Sequence, residues 1–216
     1  MAKAMYHSPD VLILIGTHCP HCPSVLAALA DMVKQGEVGK LEVVNIEARP
    51  ETAAALGVRS VPWIRMGNFT LTGLHSKGEL QAWAKKAGSV EGTAEYLVEL
   101  LSSGQVSDAV AYVKQHPESI EALLQLLGDA QQKINVKVGL GVIFEELEGS
   151  EMLRTAVDAL GKLINNPSVE VRADACHYLG LTHAEKAKPL LEQCLLDDDE
   201  AVREIAGDSL EVLAEA

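Results

Sequence analysis

The sequence predicts two domains: an α/β domain over residues 1–88 and an all-α domain of helical repeats over residues 89–216. Strand-like and helical spacings of apolar residues alternate up to Gly88, and the strand signals stop after it. A sequence unit also recurs at a fixed period near the end of the chain. The formal net charge of -13 is uneven, since the first part carries nine Lys or Arg against seven Asp or Glu and the second nine against twenty-four. We therefore expect two folding units, each able to bury its own core.

The α/β domain is predicted to run strand, helix, strand, helix, hairpin, helix. Residues 10–16 form a continuous aliphatic run, typical of a strand buried on both faces. Helical spacing over residues 24–35 follows, and Gly36 closes that helix. The remaining segments are a strand over 41–46, a short helix over 50–56 begun by a proline, a hairpin of strands 62–66 and 69–71 across Gly67-Asn68, and a helix over 77–86 capped by Ser76.

The all-α domain contains about eight amphipathic helical segments from Glu91 onward. Residues 171–179 recur 31 positions later as residues 202–210, with Val, Arg, Ala and Leu at equivalent places after a polar turn. One helical hairpin cannot bury its own apolar face, so hairpins repeated at this period stack into a solenoid. The pattern resembles the short HEAT repeats of bacterial proteins over roughly residues 117–216, and residues 90–116 are expected to form an irregular capping hairpin.

Charge and hydropathy restrict the classes of function. Affinity for nucleic acid comes largely from Lys and Arg that neutralise phosphates, so the acidic second domain argues against a nucleic-acid partner. No stretch approaches the roughly 20 apolar residues of a membrane span, and the early apolar run is shorter than a signal-peptide core. Four cysteines do not make a disulfide framework of the secreted kind. We expect a cytoplasmic protein with no membrane and no nucleic-acid partner.

The residues that carry chemistry lie between the first strand and the first helix, in Cys19-Pro20-His21-Cys22. The N–H groups and the positive dipole end of the helix are aimed at Cys19, which favours its thiolate. Cys22, one turn further in, is expected to be more buried and to attack a mixed disulfide formed on Cys19. His21 brings an N–H donor and positive charge toward the sulfur, which should lower the pKa of Cys19 further.

This motif, together with Val61-Pro62 and the ending over residues 73–80, resembles the thioredoxin and glutaredoxin superfamily over residues 10–87. The resemblance implies a cis peptide bond between Val61 and Pro62, beside Cys19, with the backbone there holding an extended substrate chain. It also implies a redox-active disulfide as the only cofactor. Protein thiols or disulfides would be the clients, and a reductase or glutathione the electron source.

Two departures from the superfamily concern the strength of the dithiol as an oxidant. Ile13 stands where thioredoxins place a buried acid, and Val43 and Val44 stand where they place its lysine partner, so that proton-transfer pair is missing. The dipeptide Pro20-His21 resembles that of the oxidase DsbA, whose stabilised thiolate makes it strongly oxidising. We therefore expect a more acidic and more oxidising dithiol than that of an ordinary thioredoxin.

Two alternatives to disulfide exchange remain open. The chain could be a redox-sensing adaptor without turnover, whose helical repeats bind a protein partner. If the chain is instead an exchange enzyme, we expect its repeats to serve as the same kind of partner-binding scaffold. Alternatively, four potential soft-metal ligands could form a metal site, with further ligands from elsewhere; these are His18, Cys19, His21 and Cys22. Two further cysteines, Cys176 and Cys194, fall on apolar faces of repeat helices, where cysteine behaves as a small hydrophobe.

Overall fold

The structure, a computed structural model, describes residues 8–215. The first seven residues of the predicted α/β domain and Ala216, at the end of the predicted repeat domain, lie outside the described residues. The chain divides into two compact units, one that ends at Thr93 and one that begins at Ala94.

From residue 8 onward the first unit is a four-stranded mixed sheet with helices, in agreement with the predicted α/β class. Its strands stand in the order β2-β1-β3-β4, with β1 and β2 parallel and β3 antiparallel to both of its neighbours. The carboxyl ends of β1 and β2 therefore meet at one end of the sheet. The elements are β1 (Asp10–Ile15), α1 (Cys22–Lys34), β2 (Lys40–Asn45), α2 (Pro50–Ala55), β3 (Trp63–Met66), β4 (Phe69–Thr72) and α3 (Lys77–Lys86).

Local sequence signals account for most of these boundaries. Gly36 follows α1 with a φ of +76°, and Gly67 lies in the β3–β4 turn with a φ of +55°. Both angles fall in the left-handed region of backbone conformation, which favours glycine. Ser76 and Glu79 form a capping box at the start of α3. The second strand begins and ends one residue before the predicted 41–46, because its parallel pairing with β1 runs from Asp10–Lys40 to Ile15–Asn45.

The core of the first unit lies between the sheet and two of the helices. Val25, Leu29 and Met32 of α1 are fully buried, as are Ile13 of β1 and Ile64 of β3. Burying one such side chain stabilises the fold by about 1.5–3 kcal/mol. This packing fixes the start of α1 against the end of β1, where the cysteine pair lies.

All the regular secondary structure in the described part of the second unit is helical, including two short 3₁₀ turns. Nine α-helices occur among the described residues from 90 to 215, close to the predicted number of about eight, with the segment 151–163 divided in two at Ala156. They are α4 (Val90–Ser102, which begins just before the unit), α5 (Val106–Gln115), α6 (Ile120–Leu127), α7 (Ile134–Glu145), α8 (Glu151–Thr155), α9 (Val157–Leu163), α10 (Val169–Leu181), α11 (Lys188–Cys194) and α12 (Glu200–Glu215).

The repeated arginine has the same structural role in both copies of the repeat. Arg172 Nη1 donates to the carbonyl oxygen of Asn166 (3.0 Å), and Arg203 Nη1 donates to that of Asp197 (2.6 Å). Each arginine thus binds the polar turn before its own helix. Arg172 also donates two hydrogen bonds to the Asp197 carboxylate, at 2.8 and 2.9 Å, and so links consecutive copies. These bonds explain why the arginine and the turn recur together.

None of the helices described between residues 8 and 215 combines the length and the apolar character needed to cross a membrane.

Candidate redox site

The cysteine pair lies at the junction of β1 and α1. Cys19 belongs to the loop after β1, Cys22 is the first residue of α1, and the two form a disulfide with 5.5 Å between their Cα atoms. Cys22 is only 3% exposed, whereas Cys19 is partly exposed. Cys19 is therefore the sulfur that another molecule can reach.

The first turn of α1 supplies a hydrogen-bond donor to the Cys19 sulfur. The backbone N–H of Cys22 points at Cys19 Sγ with an N···S distance of 3.1 Å. A donor in that position stabilises a thiolate at Cys19 after reduction, and the positive end of the helix dipole acts in the same direction.

The two residues between the cysteines lie on the surface. Pro20 and His21 are exposed, and Pro20 has no N–H of its own. His21 bonds through its backbone carbonyl, which accepts the Val25 N–H (3.3 Å) and the Ser24 hydroxyl (2.9 Å). Because the His21 imidazole is exposed, water and salt screen any electrostatic effect of its charge on the Cys19 sulfur.

The loop before β3 comes against Cys19 from 42 residues further along the chain. The Val61–Pro62 peptide bond is cis, and the Val61 carbonyl oxygen lies 3.6 Å from Cys19 Sγ. Pro62 is buried, and its own carbonyl accepts the Gly73 N–H at 2.9 Å. The Val61 backbone is thus held beside the more exposed sulfur of the pair.

One group beside the site was not predicted from the sequence. Glu47, just beyond β2, accepts the backbone N–H of Thr17 on Oε1 at 2.8 Å. A Cβ placed on Gly16 would lie 3.5 Å from that oxygen and 3.9 Å from Cys19 Cβ, so the carboxylate and the cysteine both lie beside this residue. The sequence feature that could have indicated Glu47 is its place after the end of β2, since Cys19 follows the end of the neighbouring parallel strand β1.

The four potential metal ligands are not gathered into a metal site. His18 and His21 are exposed, and Cys19 and Cys22 are bonded to each other. Among residues 8–215, no group of three or more His, Cys, Asp or Glu side chains is placed to hold a metal ion. The geometry therefore gives no support to the metal alternative.

The other two cysteines are buried in the repeat helices, as predicted. Their side chains are hydrogen-bonded to each other, and this bond, together with burial, raises the pKa of the Cys176 thiol. A thiol in that state is a poor nucleophile at neutral pH. Cys176 and Cys194 differ from Cys19 in their burial, since they are 0% and 4% exposed, whereas Cys19 is partly exposed and accepts a helix N–H.

Comparison with known families divides the chain in the same way. The family model for the thioredoxin domain matches residues 10–85, and the family model for HEAT repeats matches residues 145–211. No curated protein matches the chain in sequence. The chain therefore contains a thioredoxin domain followed by HEAT repeats.

Proposed function

We propose that the chain is a thiol-disulfide oxidoreductase that exchanges its Cys19–Cys22 pair with protein substrates. The observation that carries the proposal is the difference between the two sulfurs: Cys19 is partly exposed and accepts a helix N–H, while Cys22 is buried behind it. An attacking cysteine and a resolving cysteine need this difference.

In the proposed reaction the reduced chain attacks a substrate disulfide. The Cys19 thiolate forms a bond to one substrate sulfur and expels the other as a thiolate, which takes up a proton. Cys22 then loses its proton and attacks Cys19 Sγ, which releases the second substrate thiol and leaves the Cys19–Cys22 disulfide. A dithiol reductase or glutathione supplies two electrons to restore the dithiol. The disulfide is thus the only cofactor that the proposal requires.

The backbone next to Pro62 is proposed to bind the substrate chain. The Val61 carbonyl faces the Cys19 sulfur at 3.6 Å and is free of the β3–β4 pairing, which begins at Trp63 and Thr72. An extended peptide could therefore pair with the Val61 backbone while its own cysteine approaches Cys19. The carbonyl of Pro62 is already occupied by Gly73 and would not take part.

The HEAT repeats are proposed to bind a protein partner and so to choose the client. Repeated helical hairpins offer extended surfaces for protein binding, and this part of the sequence is strongly acidic, which favours a basic partner surface. A cytoplasmic setting, in which the chain contributes to redox homeostasis, is part of the proposal and agrees with the small number of cysteines.

A trapping experiment tests the exchange reaction. Cys22→Ser removes the resolving thiol, so mixed disulfides between Cys19 and its clients should accumulate and be recovered from cell extract under non-reducing conditions. The matched control is Cys19→Ser/Cys22→Ser, which keeps both free cysteines of the repeats. Recovery of no more client from Cys22→Ser than from this double variant would contradict the proposal.

The HEAT repeats also support a second candidate, a redox-sensing adaptor that binds a partner without turnover. In this case oxidation of Cys19 and Cys22 would change the affinity for the partner. Reduction of insulin by the chain in the presence of a reductase separates the two, since an adaptor would not turn over. Equal partner binding by the oxidised and reduced chains would exclude the adaptor.

A further inference from the structure

The carboxylate of Glu47 is built into the support of the loop that carries Cys19. Glu47 Oε1 accepts the Thr17 N–H at 2.8 Å, and the backbone N–H of Glu47 donates to Asn45 Oδ1 at 2.9 Å. Asn45 in turn donates to the Thr17 hydroxyl at 3.2 Å. Glu47 is therefore held at both ends, by a residue two positions before Cys19 and by the last residue of β2.

The arrangement follows from the parallel pairing of β1 and β2. Ile15 and Asn45 are paired as the last residues of the two strands, and the Ile46 N–H donates to the Ile15 carbonyl at 2.9 Å, which carries the pairing one step further. The loops that follow the two strands are thus brought side by side. A carboxylate two residues after β2 must then lie near the loop that follows β1.

Glu47 carries a full negative charge at neutral pH. Hydrogen bonds from the Thr17 side chain and then from the Thr17 backbone lower the pKa of the carboxyl, with a smaller effect from His18. The charge stands beside Gly16, and Cys19 Cβ lies within 4 Å of a Cβ placed on the same glycine. The distances of 3.5 Å and 3.9 Å from that Cβ place the carboxylate oxygen no more than about 7.4 Å from Cys19 Cβ. A negative charge that close disfavours a second one on the Cys19 sulfur.

We propose that Glu47 is a positioning residue of the redox pair: it holds the turn before Cys19 and, by its charge, opposes the formation of the Cys19 thiolate. This inference rests on the proposed function, because it concerns how strongly that dithiol attacks and is oxidised. The groups around Cys19 then act in opposite directions. The Cys22 N–H and the helix terminus favour the thiolate, His18 and His21 flank it, the Val61 carbonyl faces it, and Glu47 opposes it.

The consequence is a dithiol that is less oxidising than the Pro20-His21 dipeptide alone predicts. A less stabilised thiolate means a less stabilised reduced state and hence a lower reduction potential. It also means a more nucleophilic sulfur once the thiolate has formed, since nucleophilicity rises with the pKa of the thiol.

The test compares Glu47→Gln with Glu42→Gln in the full-length reduced chain. The first substitution keeps a side-chain oxygen that can accept the Thr17 N–H but removes the charge, whereas Glu42 is an exposed carboxylate of β2 that pairs with Lys40 and serves as the control. The pKa of Cys19 is read from the pH dependence of its alkylation by iodoacetamide, with the labelled cysteine identified by mass spectrometry. We expect Glu47→Gln to lower this pKa by about 0.5 unit and Glu42→Gln to leave it unchanged.

Two further measurements separate the charge from a purely structural role. The shift should shrink as salt is raised from about 0.05 to about 0.5 M, because exposed charges are screened. At a pH above the pKa of Cys19, the roughly threefold change in thiolate stability corresponds to a reduction potential about 15 mV higher in Glu47→Gln. Glu47→Asp, which keeps the charge but shortens the side chain, should leave the pKa near that of the wild type and speed hydrogen exchange of the Thr17 amide.

An unchanged or raised pKa of Cys19 in Glu47→Gln, or a shift equal to that of Glu42→Gln, would overturn the inference. So would an unchanged exchange rate at Thr17 in Glu47→Asp. Alkylation by a small reagent needs no protein client, so these outcomes are read independently of the trapping experiment. A chain that traps no client but shows the pKa shift would refute the proposed function alone.

Discussion

We expect the ion pair between Arg172 and Asp197, which links consecutive HEAT repeats, to contribute measurably to the free energy of unfolding. The two side chains are 15% and 13% exposed, and Arg172 donates two hydrogen bonds to the carboxylate. It also donates to the carbonyl of Asn166 at 3.0 Å. The perturbation is Arg172→Met, which keeps an unbranched apolar stem of similar length and removes every one of these donors.

The magnitude follows from the burial of the pair. Removing one partner of an exposed ion pair costs about 0–1 kcal/mol, and removing one partner of a fully buried pair costs about 3–5 kcal/mol. At 13–15% exposure the Asp197 carboxylate would keep some access to water, so we expect a loss of about 2–3 kcal/mol in the free energy of unfolding. Lys114→Met is the matched control, because Lys114 pairs with Glu146 on the surface and its loss should change little.

The pair also predicts a pH dependence. The hydrogen bonds from Arg172 lower the pKa of Asp197 in the folded chain below its unfolded value of about 3.9. A group whose pKa is depressed by folding stabilises the fold above its unfolded pKa, and that contribution is lost as the pH falls through the folded pKa. The difference between wild type and Arg172→Met should therefore be full at pH 7 and shrink below about pH 4.

The assay is denaturant unfolding of the full-length chain followed by two signals. Both tryptophans, Trp63 and Trp83, belong to the thioredoxin domain, so their fluorescence follows that domain, whereas far-UV circular dichroism is dominated by the helices. Arg172→Met should shift the circular dichroism transition and spare the fluorescence transition. A loss below about 0.5 kcal/mol at pH 7, or an equal loss at pH 7 and pH 3, would show that the pair does not stabilise the repeats in this way.

Two further predictions concern the packing of the repeats. A Cβ on Gly180 would lie 2.9 Å from Ser209 Cβ and 3.1 Å from Ser209 Cα, so Gly180→Ala should destabilise the repeat domain by about 1–3 kcal/mol. A Cβ on Gly207 would have no neighbour within 4 Å, so Gly207→Ala should stabilise the same domain by about 0.5–1 kcal/mol. Thermal unfolding measures both, and similar effects at the two glycines would contradict the close approach. In the native reduced chain, iodoacetamide should label Cys19 first and label Cys176 and Cys194 about 100-fold more slowly, since these two thiols are buried and need local opening. Comparable rates, measured by mass spectrometry, would contradict their assignment to the core.

The order of secondary structure was predictable because its signals are local. The aliphatic run of β1, the helical spacing after Pro23 and the Gly67-Asn68 turn each act over a few residues, and each predicted element is present in the structure. The period of the HEAT repeats was equally visible. The structural role of the repeated arginine could not be predicted. The carbonyl oxygens that accept hydrogen bonds from Arg172 and Arg203 belong to the backbone, so no particular residue type marks their positions in the sequence.

The candidate site was only partly predictable. The sequence indicated Cys19 and Cys22 through their spacing and their place before a helix, and the resemblance to thioredoxins added Val61 and Pro62. Glu47 was not found, since its position depends on the pairing of β1 with β2 and no motif marks it. The exposure of His21 likewise depended on the course of the loop.

The residue pattern alone was enough to predict the two-part organisation, the order of the elements and the cysteine pair that we propose for disulfide exchange. These depend on spacing, on turn residues and on the place of a motif relative to a helix start, all of which act between near neighbours in the chain. The resemblance to thioredoxins placed Val61 beside Cys19, and the fold gives the distance of 3.6 Å from its carbonyl oxygen to the sulfur. The Glu47 carboxylate beside Gly16 became visible only in the folded chain. Those groups come from loops that follow or precede different strands, and strand pairing, which joins residues far apart in the chain, brings them together.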